Sequence, residues 1–271
     1  ILISYERRFL MSNEFLLALS IREKGDWSGI LKEMKDKKEV NPEEIYQCYS
    51  KVKGDLILFK DQDYPDKWNH IVNPPLCVYT HGNKKLLSSP KILAVIGSRN
   101  VRQYGDYICK KLINELLDIM PDIVIVSGCA MGIDSIAMRQ AINKGGKVIG
   151  VSGAGIESVY PLSSKDIYDY CKTNNGLLLS EYPCLEPPES KHFPMRNRLI
   201  SGICDAILVI EGDERSGTSI SVGYGIDQGK TIMAVPRDIS AEKQLTNKLI
   251  RDGANPVLCG QDIADLLVNE I

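Results

Sequence analysis

The sequence predicts an α/β fold: a doubly wound, mostly parallel sheet with helices on both faces, behind a small N-terminal helical segment. Three observations carry this. Short apolar runs rich in Ile and Val, without polar alternation, recur at Ile92–Ile96, Ile123–Val126, Val148–Val151, Leu177–Leu179, Ala206–Ile210 and Ile232–Val235. Such runs suit strands buried on both faces, as in a parallel sheet. Helix-like stretches separate them, and glycine-rich or polar turns follow them. Strand, turn and helix in repetition is the pattern of a doubly wound sheet, whose ligands collect at the carboxyl ends of the strands.

Taken in order, the first sixty residues read as helical and lack a glycine-rich turn after a strand. Asn41-Pro42-Glu43-Glu44 predicts a helix start, with Asn as N-cap, Pro in the first turn and acids at the positive end of the dipole. Tyr64-Pro65 and Pro74-Pro75 break the chain, and Leu76–Thr80 reads as an extended piece. We therefore expect a small helical domain over residues 1–62 and the α/β domain over 63–271. Between the first two runs, Ile108, Leu112, Leu116 and Ile119 recur at helical spacing. Lys110, Lys111, Asn114 and Glu115 fill the opposite face.

Composition excludes several classes. The 271 residues are 44% hydrophobic and 25% charged, as in an ordinary globular chain rather than a disordered or fibrous one. The apolar runs are about five residues long, whereas a membrane-spanning helix needs roughly twenty. The first residues lack a signal peptide's apolar core, so a cytoplasmic location with no membrane partner is expected. Eight cysteines without a C-x-x-C pair fit reduced thiols. Thirty-three basic against 35 acidic residues give a net charge of −2, which disfavours a uniformly basic nucleic-acid surface and leaves a local patch open.

The strand ends are where chemistry is expected. They carry Gly97-Ser98-Arg99, then Ser127-Gly128-Cys129-Ala130-Met131-Gly132-Ile133-Asp134. Ser152-Gly153-Ala154-Gly155, Ser180-Glu181-Tyr182, and Glu211 with Arg215-Ser216-Gly217-Thr218-Ser219 follow. Any βα unit needs a tight turn, but several small-residue turns on one sheet edge suggest a phosphate-binding surface. Gly153-x-Gly155-x-x-Ser158 imitates half of a dinucleotide fingerprint, yet the acid expected about twenty residues later is missing. There is no Walker-type loop and no nucleophilic triad. His70, His81 and His192 are too scattered for a metal site and read as surface residues, so no cofactor and no metal are expected. The most unusual segment is Lys191-His192-Phe193-Pro194-Met195-Arg196-Asn197-Arg198, read as a long loop before an apolar helix. Its arginine forks match phosphate oxygens, and its Phe offers a face to a base. Arg99 and Arg102 would join it from the first strand end.

These residues carry a resemblance. In order come Tyr64-Pro65, Pro74-Pro75-Leu76, Gly82-Asn83, Gly97-Ser98-Arg99, Ser127-Gly128-x-Ala130-x-Gly132-Ile133-Asp134 and Tyr160-Pro161. Leu179-Ser180-Glu181-Tyr182-Pro183, Phe193-Pro194-x-Arg196-Asn197-Arg198, Ser216-Gly217-Thr218 and Ile250-Arg251-Asp252-Gly253-Ala254 follow. Together, from about Tyr64 to Asp262, they resemble the bacterial DNA-processing protein A family, also called Smf. The resemblance implies a Rossmann-like domain that binds single-stranded DNA, protects it during natural transformation and helps load the recombinase RecA. It also implies a homodimer and no enzymatic activity. The DNA site it implies falls on Gly97, Ser98, Arg99, Ser127, Gly128, Gly153, Lys191, Phe193, Arg196, Asn197 and Arg198. Apolar Leu245, Leu249, Ile250 and Val257 are candidates for a dimer face. Departures from the family pattern are Met131 for Arg, Met138 for His, Arg237 for Gly and Leu245 for Gly. The chain stops at Ile271, where many relatives continue into a winged helix, and the N-terminal domain is expected to be sterile-alpha-motif-like.

Two other classes compete. Nucleotide phosphoribohydrolases share the superfamily and resemble P-G-G-x-G-T-x-x-E in their site, but Ser221 stands at the Glu position here. Glu181 and Glu211 lie at strand ends and could supply the acid. A nucleotide-sensing domain is the third class; it would bind a small nucleotide without responding to oligonucleotide length.

Overall fold

A computed structural model describes residues 13–36, 39–241 and 244–268. Three helices come first: α1 (Asn13–Arg22), α2 (Trp27–Lys35) and α3 (Pro42–Lys51). Asn41 caps α3 as expected, its side chain accepting from the Glu44 amide at 2.8 Å. The strands are β1 (Asp55–Leu58), β2 (Cys77–Gly82), β3 (Ile92–Ile96), β4 (Val124–Ser127), β5 (Lys147–Val151), β6 (Gly176–Ser180), β7 (Ala206–Val209), β8 (Thr231–Ala234) and β9 (Asn255–Pro256). The later helices are α4 (Gln103–Ile119), α5 (Ile133–Asn143), α6 (Lys165–Cys171), α7 (His192–Ile203), α8 (Gly217–Asp227), α9 (Leu245–Arg251) and α10 (Gly260–Val268).

The nine strands form one sheet in the order β1-β2-β6-β5-β4-β3-β7-β8-β9. β1–β2 and β2–β6 pair antiparallel, and all other neighbours are parallel. The expected α/β fold is therefore present, and each of the six apolar runs is a strand. Alternate residues of β3 separate the two faces: Leu93 and Val95 join one core, Ile92, Ala94 and Ile96 the other. On the first face pack α4, α5, α6 and α10 through residues such as Leu112, Ile133, Tyr168 and Ile263. On the second pack α7, α8 and α9 through Leu199, Val222 and Leu245, with Trp68 beneath them.

Three expectations shift. Residues 55–58, assigned to the helical segment, form the edge strand β1. Leu16, Leu17, Ile30 and Cys48 of the first three helices share the core of the first sheet face, so no break in the core coincides with residue 62. A four-residue edge strand carries too little periodicity to be read beforehand. The buried stripe of α4 is Cys109, Leu112, Ile113 and Leu116, while Ile119 is exposed. Leu245 and Val257 lie in the core and cannot form a dimer face, because their surfaces are spent inside the protomer. All eight cysteines are free thiols, seven of them buried. No helix among the described residues is long and apolar enough to cross a membrane.

Candidate functional site

The chain runs outward from β3 to β6, then returns to β7 on the other side of β3. Ligands of doubly wound sheets usually enter the crevice at this reversal. Here it is filled. The Ser98 amide donates to the Glu211 carbonyl across it at 2.8 Å. The Glu211 carboxylate and the Arg237 guanidinium meet at 2.6 Å, 0% and 5% exposed. Arg237 also lies over the Tyr104 ring, 5.4 Å from its centroid, and the Tyr104 hydroxyl donates to the Pro236 carbonyl at 2.9 Å. Arg237 thus packs into this reversal between Glu211 and Tyr104.

On the other side of β3, α7 lies against the carboxyl ends of β4 and β5, where the Gly128 and Val151 carbonyls accept from its Arg196. The segment Lys191–Arg198 is not a loop: α7 begins at His192. Pro194 sits in the first helical turn, where its missing N–H costs no helical bond. His192 is correspondingly not a surface residue. Its ring is buried, stacks on Tyr182 with centroids 3.7 Å apart, and places Nδ1 3.1 Å from the Gly153 carbonyl. A carbonyl only accepts, so Nδ1 carries the hydrogen.

Burial holds the His192 imidazole below its ordinary value, against the upward pull of the Gly153 carbonyl. The folded state thus favours the neutral ring, while the unfolded chain takes up a proton near about pH 6.5. This contribution to stability is complete above that pH and is lost as pH falls toward the lower folded value. Urea midpoints measured at pH values of about 7.5 and 5.5 are expected to drop more for the wild type than for His192→Gln. Equal drops would show that this ring does not set the acid sensitivity.

Phe193 follows on α7, half-buried. Gly153 makes room for it: a Cβ there would stand 2.8 Å from the ring. The Arg99 guanidinium lies over the same ring, 5.4 Å from its centroid, and Tyr160 stands beside it with centroids 5.5 Å apart. Arg99 itself is exposed. Lys191 is also exposed, 3.1 Å from Glu189. With Arg102, which is exposed as well, these are the expected cations that face solvent.

Arg196 and Arg198 do not face solvent, and here the sequence expectation of two forks presented to phosphate fails. Arg196 is 3% exposed. Its Nη1 donates to the Gly128 carbonyl at 2.6 Å and to the Val151 carbonyl, and its Nε donates to the Asn197 side-chain oxygen at 3.1 Å. Gly128 is required by this approach, since a Cβ there would lie 2.5 Å from the guanidinium. Burial lowers the Arg196 guanidinium from its ordinary value, while Asp134 opposes this. Burial likewise raises the Asp134 carboxyl, against Arg196 and the Gly128 amide, which donates to it at 3.1 Å. Arg198 grips Glu181 with both ends of its fork, at 2.5 and 2.7 Å, and also donates to the Asn73 and Met195 carbonyls. Both arginines tie α7 to the strand ends, because a helix entering over a sheet edge must satisfy that edge's buried carbonyls and its acid.

The remaining assigned residues divide similarly. The Ser127 hydroxyl is buried and donates to the Val95 carbonyl at 2.7 Å. Ser98 donates its hydroxyl to the Asn100 carbonyl at 2.9 Å. Gly97 packs on Ile133. The structure thus gathers Arg99, Gly153, Phe193 and Tyr160 into one cluster at the edge and sets Ser127, Gly128, Arg196, Asn197 and Arg198 beneath or beside it as supports. Tyr160, which in sequence stands out only through the Tyr-Pro pair, borders the same edge; an aromatic following the β5 glycine turn is the signal for it.

A family model described as DNA recombination-mediator protein A matches residues 55–268. DNA processing protein DprA of Streptococcus pneumoniae is 38% identical over 204 residues, 75% of this chain and 71% of that one. DprA of Bacillus subtilis is 32% identical over 235 residues, 83% and 78% of the two chains. The X-ray structure of the Streptococcus pneumoniae protein aligns with a TM-score of 0.78 at 30% identity, over 96% of this chain and 99% of that one. A structure of DNA processing protein A from Helicobacter pylori, solved for its single-stranded DNA binding mode, aligns with a TM-score of 0.71 at 28% identity, over 81% and 99%. By the family match across most of its length, and by its likeness to these relatives in sequence and fold, the chain belongs to the DprA/Smf family.

Proposed function

We propose that the protein binds single-stranded DNA across the carboxyl ends of β3, β4 and β5, protects it, and helps load RecA recombinase onto it in natural transformation. The observation that carries this is the Phe193 ring at the sheet edge, with the exposed Arg99 over it and Tyr160 beside it. An aromatic face with a cation at hand is what a sequence-tolerant single-strand site needs: a base stacks, a phosphate is neutralised. Phosphates run over Arg99 and Lys191. Gly97 and Ser98 give the backbone its close approach, while Gly128 and Gly153 make room for Arg196 and Phe193. Ser127, Arg196, Asn197 and Arg198 act from below, by holding the edge and α7 in place. The single-strand binding mode for which the Helicobacter pylori relative was solved supports the same reading.

The protein acts without catalysis in this reading, as a cytoplasmic homodimer. The acids that a phosphoribohydrolase would need are engaged: Glu181 by Arg198, Glu211 by Arg237. Ser221 donates its hydroxyl to the Gly217 carbonyl and carries no charge. Light scattering at micromolar concentration decides the dimer, and RecA filament growth on the bound strand, with and without the protein, decides the loading role.

The binding claim is tested by band shift with single- and double-stranded oligonucleotides of equal length at several salt concentrations. Single strands are expected to bind more tightly, because duplex bases are already stacked. Each phosphate contact adds about 0.7 to the slope of log affinity against log salt, so Arg99→Ala is expected to flatten the slope by about that amount. Equal affinity for both forms, or an unchanged slope in Arg99→Ala, would remove the site from this edge.

A further inference from the structure

Tyr160 belongs to the sheet edge, yet the family resemblance assigns it no role. The residue is 43% exposed, and its ring lies beside Phe193, with centroids 5.5 Å apart and planes inclined by 42°. Leu162, two residues on, is 75% exposed. An aromatic ring left this open beside a second one is an unsatisfied apolar face, and its position is not accidental. The Tyr168 hydroxyl donates to the Tyr160 carbonyl at 3.2 Å. Tyr168 has one hydroxyl hydrogen, so Ser152 must donate to Tyr168 in their 2.9 Å contact. Ser152 in turn accepts from the Ala154 amide at 3.0 Å. This chain of three hydrogen bonds fastens the Tyr160 backbone to the end of β5, next to Gly153 and therefore next to Phe193.

We infer that Tyr160 is a second base-stacking residue, taking the nucleobase adjacent to the one on Phe193. The inference rests on the single-strand reading above. A base held between two rings needs van der Waals contact on both its faces, about 3.5 Å to each, so insertion would require rings about 7 Å apart with parallel planes. The observed 5.5 Å and 42° exclude a sandwich. The two rings instead form one bent platform that offers a separate face to each of two neighbouring bases. Arg99 already covers part of Phe193 and lies on the route to it. Tyr160 has no such cover among the described residues, so an arriving base meets it without displacing a side chain. The site thus reads two successive bases by their π-faces, without regard to sequence.

The test uses the full chain and a set of oligothymidylates, each carrying 2-aminopurine, whose fluorescence is quenched on stacking, at one position. In the wild type, two adjacent positions are expected to change emission on binding. Tyr160→Ala is expected to abolish the change at one of them and to weaken binding about fivefold or more. Phe193→Ala should abolish the other, and Tyr160→Phe should behave as wild type because the ring, not the hydroxyl, makes the contact. Circular dichroism of Tyr160→Ala checks that the exposed substitution leaves the fold intact. If the wild type binds and Tyr160→Ala keeps both emission changes and full affinity, Tyr160 is only a packing neighbour of Phe193, and the inference fails while the single-strand reading stands. If the wild type binds no single strand, both fail together.

Discussion

An Arg198→Ala variant is expected to lose about 3–5 kcal/mol of stability, the cost of breaking a buried ion pair by removing one partner. The side chains of Arg198 and Glu181 are 1% and 8% exposed. Without the guanidinium, the Glu181 carboxylate stays buried with no counter-charge from Arg198, and the Asn73 and Met195 carbonyls lose their donor. The paired variant Arg198→Met with Glu181→Leu should recover much of the loss, because it removes the stranded charge together with its partner. Urea unfolding of the two single variants and the double variant measures this as a cycle. If Arg198→Ala unfolds like the wild type but binds DNA with a flatter salt slope, Arg198 contacts phosphate and its role as an internal strut is wrong.

Phe193→Ala is expected to weaken single-strand binding by about 1–3 kcal/mol, the usual worth of one stacked base. The salt slope should stay unchanged, since a neutral ring releases no counterions. This separates Phe193 from Arg99, whose removal acts on the slope. The two residues touch, so their effects should couple: Arg99→Ala in the Phe193→Ala background should cost less or more than it does alone. Affinity titrations at two salt concentrations for the four proteins provide the readout. A Phe193→Ala variant with wild-type affinity would mean that bases do not use this ring.

The sheet was legible in the sequence because its strands are buried on both faces. That burial writes itself as unbroken Ile and Val runs, and all six runs are strands of the parallel body. The glycine turns were legible for a similar local reason: Gly128 and Gly153 lie where a side chain approaches too closely for a Cβ. What could not be read was which side chain makes that approach. A row of arginines looks the same in sequence whether it meets solvent or a carboxylate. Arg196 and Arg198 became internal struts only because α7 folds down over the edge, where the Gly128 and Val151 carbonyls and Glu181 await partners from distant strands. Glu211 and Arg237, 26 positions apart, likewise meet only once β7 and the segment after β8 lie side by side. The sequence alone determined the six strands of the parallel body and the turns that follow them. Tertiary packing decided which charges remain in water, because a charge's environment is set by the elements that close over it and not by its neighbours along the chain.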